Sequence, residues 1–273
     1  MHYREAYERD GVALVKGVLG QEQLRLLSTG IGKILAAPTK RHVYYVNDGP
    51  AGKRFFYDAV MVPAIEELDA AIRGSSLAEL VATAMKSKTA TAFYVSIFSR
   101  TGGSAKRTPW HQDQPYWPAD GWQACSTWIS LDPVPRPTAL EFVRGSHEWD
   151  PFGRPDFSDV PREGYLAGEE SRAKPFPDIE ANREDYDIIG WEMSPGDCLL
   201  FHGMTAHGGS GGELPSVGRR AISIQWLGDD AVYAPKAGGV DPDFRPELEA
   251  AGVRPGGAIA CDLCPMLWPL PPK

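Results

Sequence analysis

Trp110-His111-Gln112-Asp113-Gln114-Pro115-Tyr116-Trp117-Pro118 is the stretch on which the reading of this chain turns. In an extended segment, residues two apart point to the same side. His111 and Asp113 therefore present an imidazole and a carboxylate together. One further ligand completes a two-histidine, one-carboxylate face on a ferrous ion, leaving open positions on the metal. A candidate lies downstream, in Phe201-His202-Gly203-Met204-Thr205-Ala206-His207-Gly208-Gly209-Ser210. Twelve residues after His207 comes Arg219, opening Arg219-Arg220-Ala221-Ile222-Ser223. A guanidinium held there suits bidentate binding of a dicarboxylate. Taken alone, the His-x-Asp triplet is common and reads equally well as part of a solvated strand; the order of the three segments is what gives it weight.

Working outward, 89–99 is rich in β-branched and aromatic residues, which favour strands. The stretches 126–131, 139–143, 197–201 and 219–227 also read as short strands, with 12–18 as one more near the start. Turn signals separate them, among them Thr101-Gly102-Gly103, Arg144-Gly145-Ser146 and Ser194-Pro195-Gly196-Asp197. Many short strands joined by Gly and Pro turns point to a sandwich or barrel. The first 88 residues read as helical support. A short helix is expected over 3–9, and a helix over 21–35 by the spacing of Leu24, Leu27, Ile31, Ile34 and Leu35. Two more are expected over 63–72 and 76–86, with Ser75 or Ser76 as N-cap and Glu79 as its capping-box partner. The expected organisation is a single domain over 1–273. Residues 1–88 give helical support, 89–228 form the β core with a 150–187 loop insertion, and 229–273 form a Pro-rich tail. Long unstructured segments of this kind are usually lids or surface excursions.

Composition narrows the class. The chain has 273 residues, with 42% hydrophobic and 23% charged, 29 Gly and 24 Pro. The Gly and Pro content argues against an all-helical bundle. The net charge of −8 and the absence of a basic run leave no nucleic-acid footprint. No apolar run is long enough to span a bilayer. The opening MHYREAYERDG lacks the apolar stretch of a signal peptide, so the cytoplasm is the expected compartment. Cys261 and Cys264 form a Cys-x-x-Cys, but no further thiol or imidazole follows to complete a zinc site.

The ordered motifs resemble the phytanoyl-CoA dioxygenase family of iron(II)- and 2-oxoglutarate-dependent oxygenases. They are Trp110-His111-Gln112-Asp113 with Tyr116-Trp117-Pro118, Trp128-Ile129-Ser130-Leu131-Asp132 and Phe142-Val143-Arg144-Gly145-Ser146-His147. Pro195-Gly196-Asp197, Phe201-His202, and His207 with Arg219 complete the series, and Tyr7-Glu8-Arg9-Asp10-Gly11-Val12 matches the family's start. The resemblance covers roughly residues 3–228. It implies a mainly β protein with N-terminal helices around a double-stranded β-helix, a cupin-like jelly roll. It also implies Fe(II) on His111, Asp113 and His207, with 2-oxoglutarate and O2 as cosubstrates. Arg219 would pair with the distal carboxylate of 2-oxoglutarate, Gln112 and Trp128 would line its site, and Ser210 would add a hydroxyl. The family's reaction releases succinate and carbon dioxide and usually hydroxylates an unactivated C–H bond of a small molecule. Related halogenases carry a small residue where this chain has Asp113, so the carboxylate favours hydroxylation.

Tyr116, Trp117, Trp122 and Arg100 are the candidate substrate residues, because they flank the ligands in Pro- and Gly-rich loops. His147 and His202 read as structural, His202 because its odd spacing from His207 puts it on the opposite face of a strand. His2 and His42 read as surface residues. Of the two adjacent arginines, Arg219 shares a face with Ala221, Ser223 and Gln225, and Arg220 shares one with Ile222, Ile224 and Trp226. The first face suits a dicarboxylate. Gly102-Gly103 and 150–187 are expected to border the pocket mouth. A non-catalytic jelly-roll binding protein that retains the triad, and a zinc or manganese enzyme without an oxo acid, are the rival readings. The substrate and the oligomeric state are not legible.

Overall fold

Strands form where β-branched and aromatic residues alternate with small or polar ones, and helices form where apolar residues recur every three to four positions. In the computed structural model, residues 2–49, 52–103, 106–155, 157, 174–210, 218–236 and 240–269 are described. The helices are α1 (His2–Asp10), α2 (Gln21–Ala36), α3 (Glu66–Arg73), α4 (Leu77–Met85) and α5 (Arg245–Ala250). The strands in chain order are β1 (Val12–Val15), β2 (Val43–Asn47), β3 (Arg54–Val60), β4 (Ala90–Arg100), β5 (Ala119–Asp120), β6 (Ala124–Ser130) and β7 (Leu140–Val143). They continue with β8 (Ile188–Ile189), β9 (Cys198–His202), β10 (His207–Gly209), β11 (Arg219–Leu227), β12 (Val232–Tyr233) and β13 (Met266–Trp268).

The main sheet runs β1-β9-β6-β11-β4-β3-β2, and β13 joins the edge of β4 that β3 leaves free. All its pairs are antiparallel. A second sheet, β10-β7-β8, is extended by one bridge between His111 and His207. The two sheets face each other as a jelly roll, which closes strand edges by doubling the sheet. The outer face of the main sheet carries Ile222, Ile224, Trp226, Ile129 and Leu200. It packs on Leu27 and Ile31 of α2, Leu68 and Ile72 of α3, and Leu77 and Val81 of α4. The inner face carries Trp128, Leu199, Phe201 and Ala221, which meet Phe142 of the second sheet. The period of two in β11 thus divides core from cavity.

Three expectations are corrected. The first 88 residues hold strands as well as helices, since β2 and β3 belong to the main sheet. Residues 229–273 are not a loose tail over their described part. Phe244, Leu248, Val253, Ile259 and Cys264 are buried in a cluster with Phe93 and Tyr94, and β13 pairs with β4. Ser76 occupies the N-cap of α4 without a side-chain hydrogen bond, so no capping box forms with Glu79; the Ser75 Oγ instead accepts from the Leu77 N–H. Much of the 150–187 insertion, residues 156 and 158–173, lies outside the described residues. Phe157 lines the cavity, and Ile179 is buried against Trp110. Cys261 and Cys264 close a hairpin with paired backbone hydrogen bonds and carry free thiols. Among the described residues, no helix is long and apolar enough to cross a membrane.

Candidate metal centre and cavity

The local chain path brings the ligands together. His111 and His207 exchange backbone hydrogen bonds of 2.9 Å in each direction, which sets their imidazole centroids 4.1 Å apart. Gly208 and Gly209 make this approach possible. A Cβ at Gly208 would lie 3.1 Å from the Thr108 carbonyl oxygen, and one at Gly209 would lie 3.1 Å from the Thr108 nitrogen. Asp113 leads into a short 3-10 turn, Gln114–Tyr116, which the Gln114 N–H anchors on the Gly203 carbonyl.

The three side chains converge on one point. His111 Nε2 lies 3.3 Å and His207 Nε2 3.6 Å from Asp113 Oδ1. The ligand atoms of the three all lie within 4.8 Å of one another, and this is the only such group of metal-binding side chains among the described residues. The outer hydrogen bonds orient them. His111 Nδ1 is 2.9 Å from the Pro109 carbonyl and His207 Nδ1 is 3.0 Å from the Thr205 carbonyl. A carbonyl only accepts, so each Nδ1 carries the proton and each Nε2 offers its lone pair inward. The Ser126 Oγ donates to Asp113 Oδ2 at 2.7 Å, which leaves Oδ1 for the centre. Burial, reinforced by His111, pushes the His207 imidazole down to about 4, so it is neutral at neutral pH. Burial raises the Asp113 carboxyl, but the two histidines and Ser126 outweigh it, and the group stays ionised below its ordinary range. Two imidazoles that turn Nε2 inward and one carboxylate form a donor set that fits iron(II).

Arg219 sits on the inner face of β11, opposite Arg100 on β4. It donates to the Thr138 carbonyl at 2.6 Å, and its guanidinium carbon lies 5.5 Å from the Trp128 ring centroid. Burial, followed by the neighbouring Arg100, lowers it to about 10, and it remains charged at neutral pH. Among the described residues, no carboxylate lies within ion-pair distance of it. Arg220 points the other way, to Asp132 at 2.9 Å and to Ser28 Oγ of α2 at 3.0 Å.

The centre opens into a cavity. His111, Asp113, His207, Arg219, Trp128, Tyr116, Trp117 and Arg100 line it, as do Arg107 and Thr108 of the loop after Gly102-Gly103. Three expected residues do not. Gln112 turns away by the same two-residue alternation that pairs His111 with Asp113, and it bonds the Asp150 carbonyl and the Phe152 N–H. Ser210 lies past the end of β10 and donates to the Pro137 carbonyl. Trp122 is 55% exposed and leans on His202 with tilted rings, 4.3 Å between centroids, outside the cavity. His202 itself is structural, with Nε2 donating to the Trp122 carbonyl and Nδ1 accepting from the Met204 N–H. His147 is buried outside the metal centre and meets the Glu8 carbonyl. His42 is exposed, and the side chain of His2 lies outside the described residues. Sequence reasoning named none of Tyr45, Tyr57, Phe98, Phe157, Gln225 and Asp241 individually as site residues, and all line the cavity. Two carried a signal: Gln225 by its shared face with Arg219, and Phe157 by its place in the 150–187 segment expected at the pocket mouth.

The family model described as phytanoyl-CoA dioxygenase matches residues 7–219. No curated protein matches the chain. Among solved structures, the non-heme alpha-ketoglutarate-dependent epimerase SnoN from nogalamycin biosynthesis is similar at 20% identity and a TM-score of 0.70. The match covers 97% of this chain and 95% of that one. The carbocyclase SnoK from the same biosynthesis is similar at 15% identity and a TM-score of 0.72, with the same coverage. EctD from S. alaskensis, solved with 2-oxoglutarate and 5-hydroxyectoine, is similar at 17% identity and a TM-score of 0.59. There the match covers 83% of this chain and 75% of that one.

Proposed function

Because the chain belongs to the phytanoyl-CoA dioxygenase family, we propose that it hydroxylates an unactivated C–H bond of a small molecule, converting 2-oxoglutarate and O2 to succinate and carbon dioxide. Membership makes iron(II) and 2-oxoglutarate its cofactors. The observation that carries the proposal is the convergence of His111 Nε2, His207 Nε2 and Asp113 Oδ1, each held by its own outer hydrogen bond. When bound, iron and the oxo acid activate dioxygen on the open side of this face.

The chain's own residues do the rest. His111, Asp113 and His207 hold the metal. Arg219 takes the distal carboxylate of 2-oxoglutarate, and its fork is already oriented by the Thr138 carbonyl and the Trp128 ring. Ala221 and Ser223 are small and leave room for the oxo acid between Arg219 and the metal. Tyr116 and Trp117 wall the substrate side. Tyr116 is fixed there by its hydroxyl, which donates to the Pro155 carbonyl at 2.7 Å. The four free cysteines suit a reducing compartment, which supports a cytoplasmic location.

Incubation with candidate substrates under labelled dioxygen tests the reaction class. Hydroxylation gives a product heavier by one labelled oxygen atom for each succinate formed. A product lighter by two hydrogens, with no label, signals desaturation or ring closure on the same centre. Binding of 2-oxoglutarate with no succinate formed supports the rival non-catalytic binding protein.

A further inference from the structure

The part of the cavity beyond the metal is walled by rings from separate chain segments. Tyr45 and Phe157 lie 6.2 Å apart between centroids, Phe157 and Tyr116 5.7 Å, Tyr45 and Tyr57 6.0 Å, and Tyr57 and Phe98 5.4 Å. The run ends on the metal centre, where Phe157 meets the ring of His111 edge-on at 4.7 Å and 88°. Tyr57 and Phe157 pack on one side against the cluster around Tyr116 and Phe244, and Phe98 against the cluster around Trp128, yet these rings and Tyr45 stay only partly buried and line the cavity. Aromatic faces left half-covered around a cavity are the usual mark of a ligand wall.

We propose that this wall binds a flat, conjugated polycyclic ring system and presents its edge to the metal centre. The inference rests on the reading of the cavity as an oxygenase site and names its substrate class. Rings prefer offset or edge-to-face contacts at centroid separations of about 4.5–7 Å, and a planar body seated on this arc makes several of them at once. A flexible acyl chain gains no such selectivity from an aromatic wall. Among the described residues, the cations near the mouth are already engaged, Lys106 with the Tyr45 carbonyl. Arg107 is paired with Glu180 and donates to the Ser210 carbonyl, and Arg100 donates to the Lys106 carbonyl. Besides Arg100 and Arg219, the inner sheet face carries the neutral polar groups of Ser96, Ser223 and Gln225. Ser96 lies 3.4 Å from the Tyr57 hydroxyl, and Gln225 bonds Ser223. Such groups match phenol and quinone oxygens on the rim of a ring system.

The test is calorimetric titration of the manganese(II)-loaded protein with 2-oxoglutarate present. The probes are 1,8-dihydroxyanthraquinone, palmitoyl-coenzyme A and L-proline. The expected result is saturable binding of the anthraquinone at one site, with the other two probes silent. Phe157→Ala and Tyr45→Ala should each weaken that binding roughly two- to tenfold, the range of a lost aromatic contact. Phe157→Trp should retain it, and Trp122→Ala, outside the cavity, should leave it unchanged. Phe157 lies outside both sheets, so its truncation leaves strand pairing intact. Failure of the anthraquinone to bind overturns the proposal, as does equal binding to wild type and both alanine variants. A parallel titration with 2-oxoglutarate alone separates the two readings. If 2-oxoglutarate binds and the ring probe does not, only the substrate class falls; if 2-oxoglutarate does not bind, the oxygenase reading falls with it.

Discussion

Replacing Arg219 by Ala removes the one cation that the inner face of β11 holds near the metal. In the wild type the guanidinium is buried, charged at neutral pH, and steered by the Thr138 carbonyl and the Trp128 ring. A buried bidentate pair with a carboxylate is a charge-assisted bond of about 1.5–3 kcal/mol. Its loss raises the apparent 2-oxoglutarate constant roughly ten- to a hundredfold. Arg219→Lys restores only part of this, because an ammonium lacks the planar fork. Arg220→Ala is the internal control. Its pair with Asp132 is partly exposed and lies on the helix side of the sheet, so it stabilises the fold by no more than about 1 kcal/mol. Its removal leaves the 2-oxoglutarate constant unchanged. The assay is succinate formation at varied 2-oxoglutarate, with thermal unfolding confirming that each variant folds. A larger rise for Arg220→Ala than for Arg219→Ala, with both folded, refutes the assignment of faces.

Other consequences follow from the same geometry. Ser126→Ala removes the hydrogen bond that turns Asp113 Oδ1 inward, and iron affinity should fall roughly ten- to a hundredfold by metal titration. His202 is held neutral by burial with its pKa down to about 4, against 6.5 when unfolded. Its contribution to stability is therefore complete above pH 6.5 and is lost as pH falls from 6.5 toward 4, by up to about 1.4 kcal/mol per pH unit. Urea midpoints across that range should fall less steeply in His202→Gln, and an unchanged slope rejects the attribution. Trp122→Ala should leave the kinetic constants at wild-type values, since the ring lies outside the cavity; a large rise in the substrate constant counts against this placement.

Much of the centre was legible because it depends on short-range periodicity. The two-residue alternation places His111 with Asp113, and Arg219 with Ala221, Ser223 and Gln225, wherever the strands end up in the fold. The same rule turns Gln112 outward, and the family resemblance misled where it overrode that rule. The strands β2 and β3 escaped because Val43–Asn47 and Arg54–Val60 are short and set among helices, and their place in the sheet comes from β3 pairing with the distant β4. The ring wall was hidden for the same reason. Tyr45, Tyr57 and Phe98 line one cavity only through tertiary folding, and nothing in their local sequence distinguishes a ring that faces a cavity from one in a core; Phe157 alone fell in a segment, 150–187, expected at the pocket mouth. Trp122 shows the converse, a loop aromatic beside the ligands in sequence whose side chain the fold sends to the surface. The described C-terminal segment lost its reading as a tail because Phe244, Leu248 and Cys264 find their cluster only across the sheet from Phe93.

The central claim is that His111, Asp113 and His207 form a working iron centre for 2-oxoglutarate turnover. Aerobic succinate formation by the purified protein with added iron(II) and 2-oxoglutarate tests it most directly, with Asp113→Ala in parallel. The account predicts succinate that depends on both iron(II) and dioxygen, is not supported by zinc, and falls to background in Asp113→Ala. Wild-type levels of succinate from the folded Asp113→Ala protein, or none from the iron-loaded wild type, contradict it.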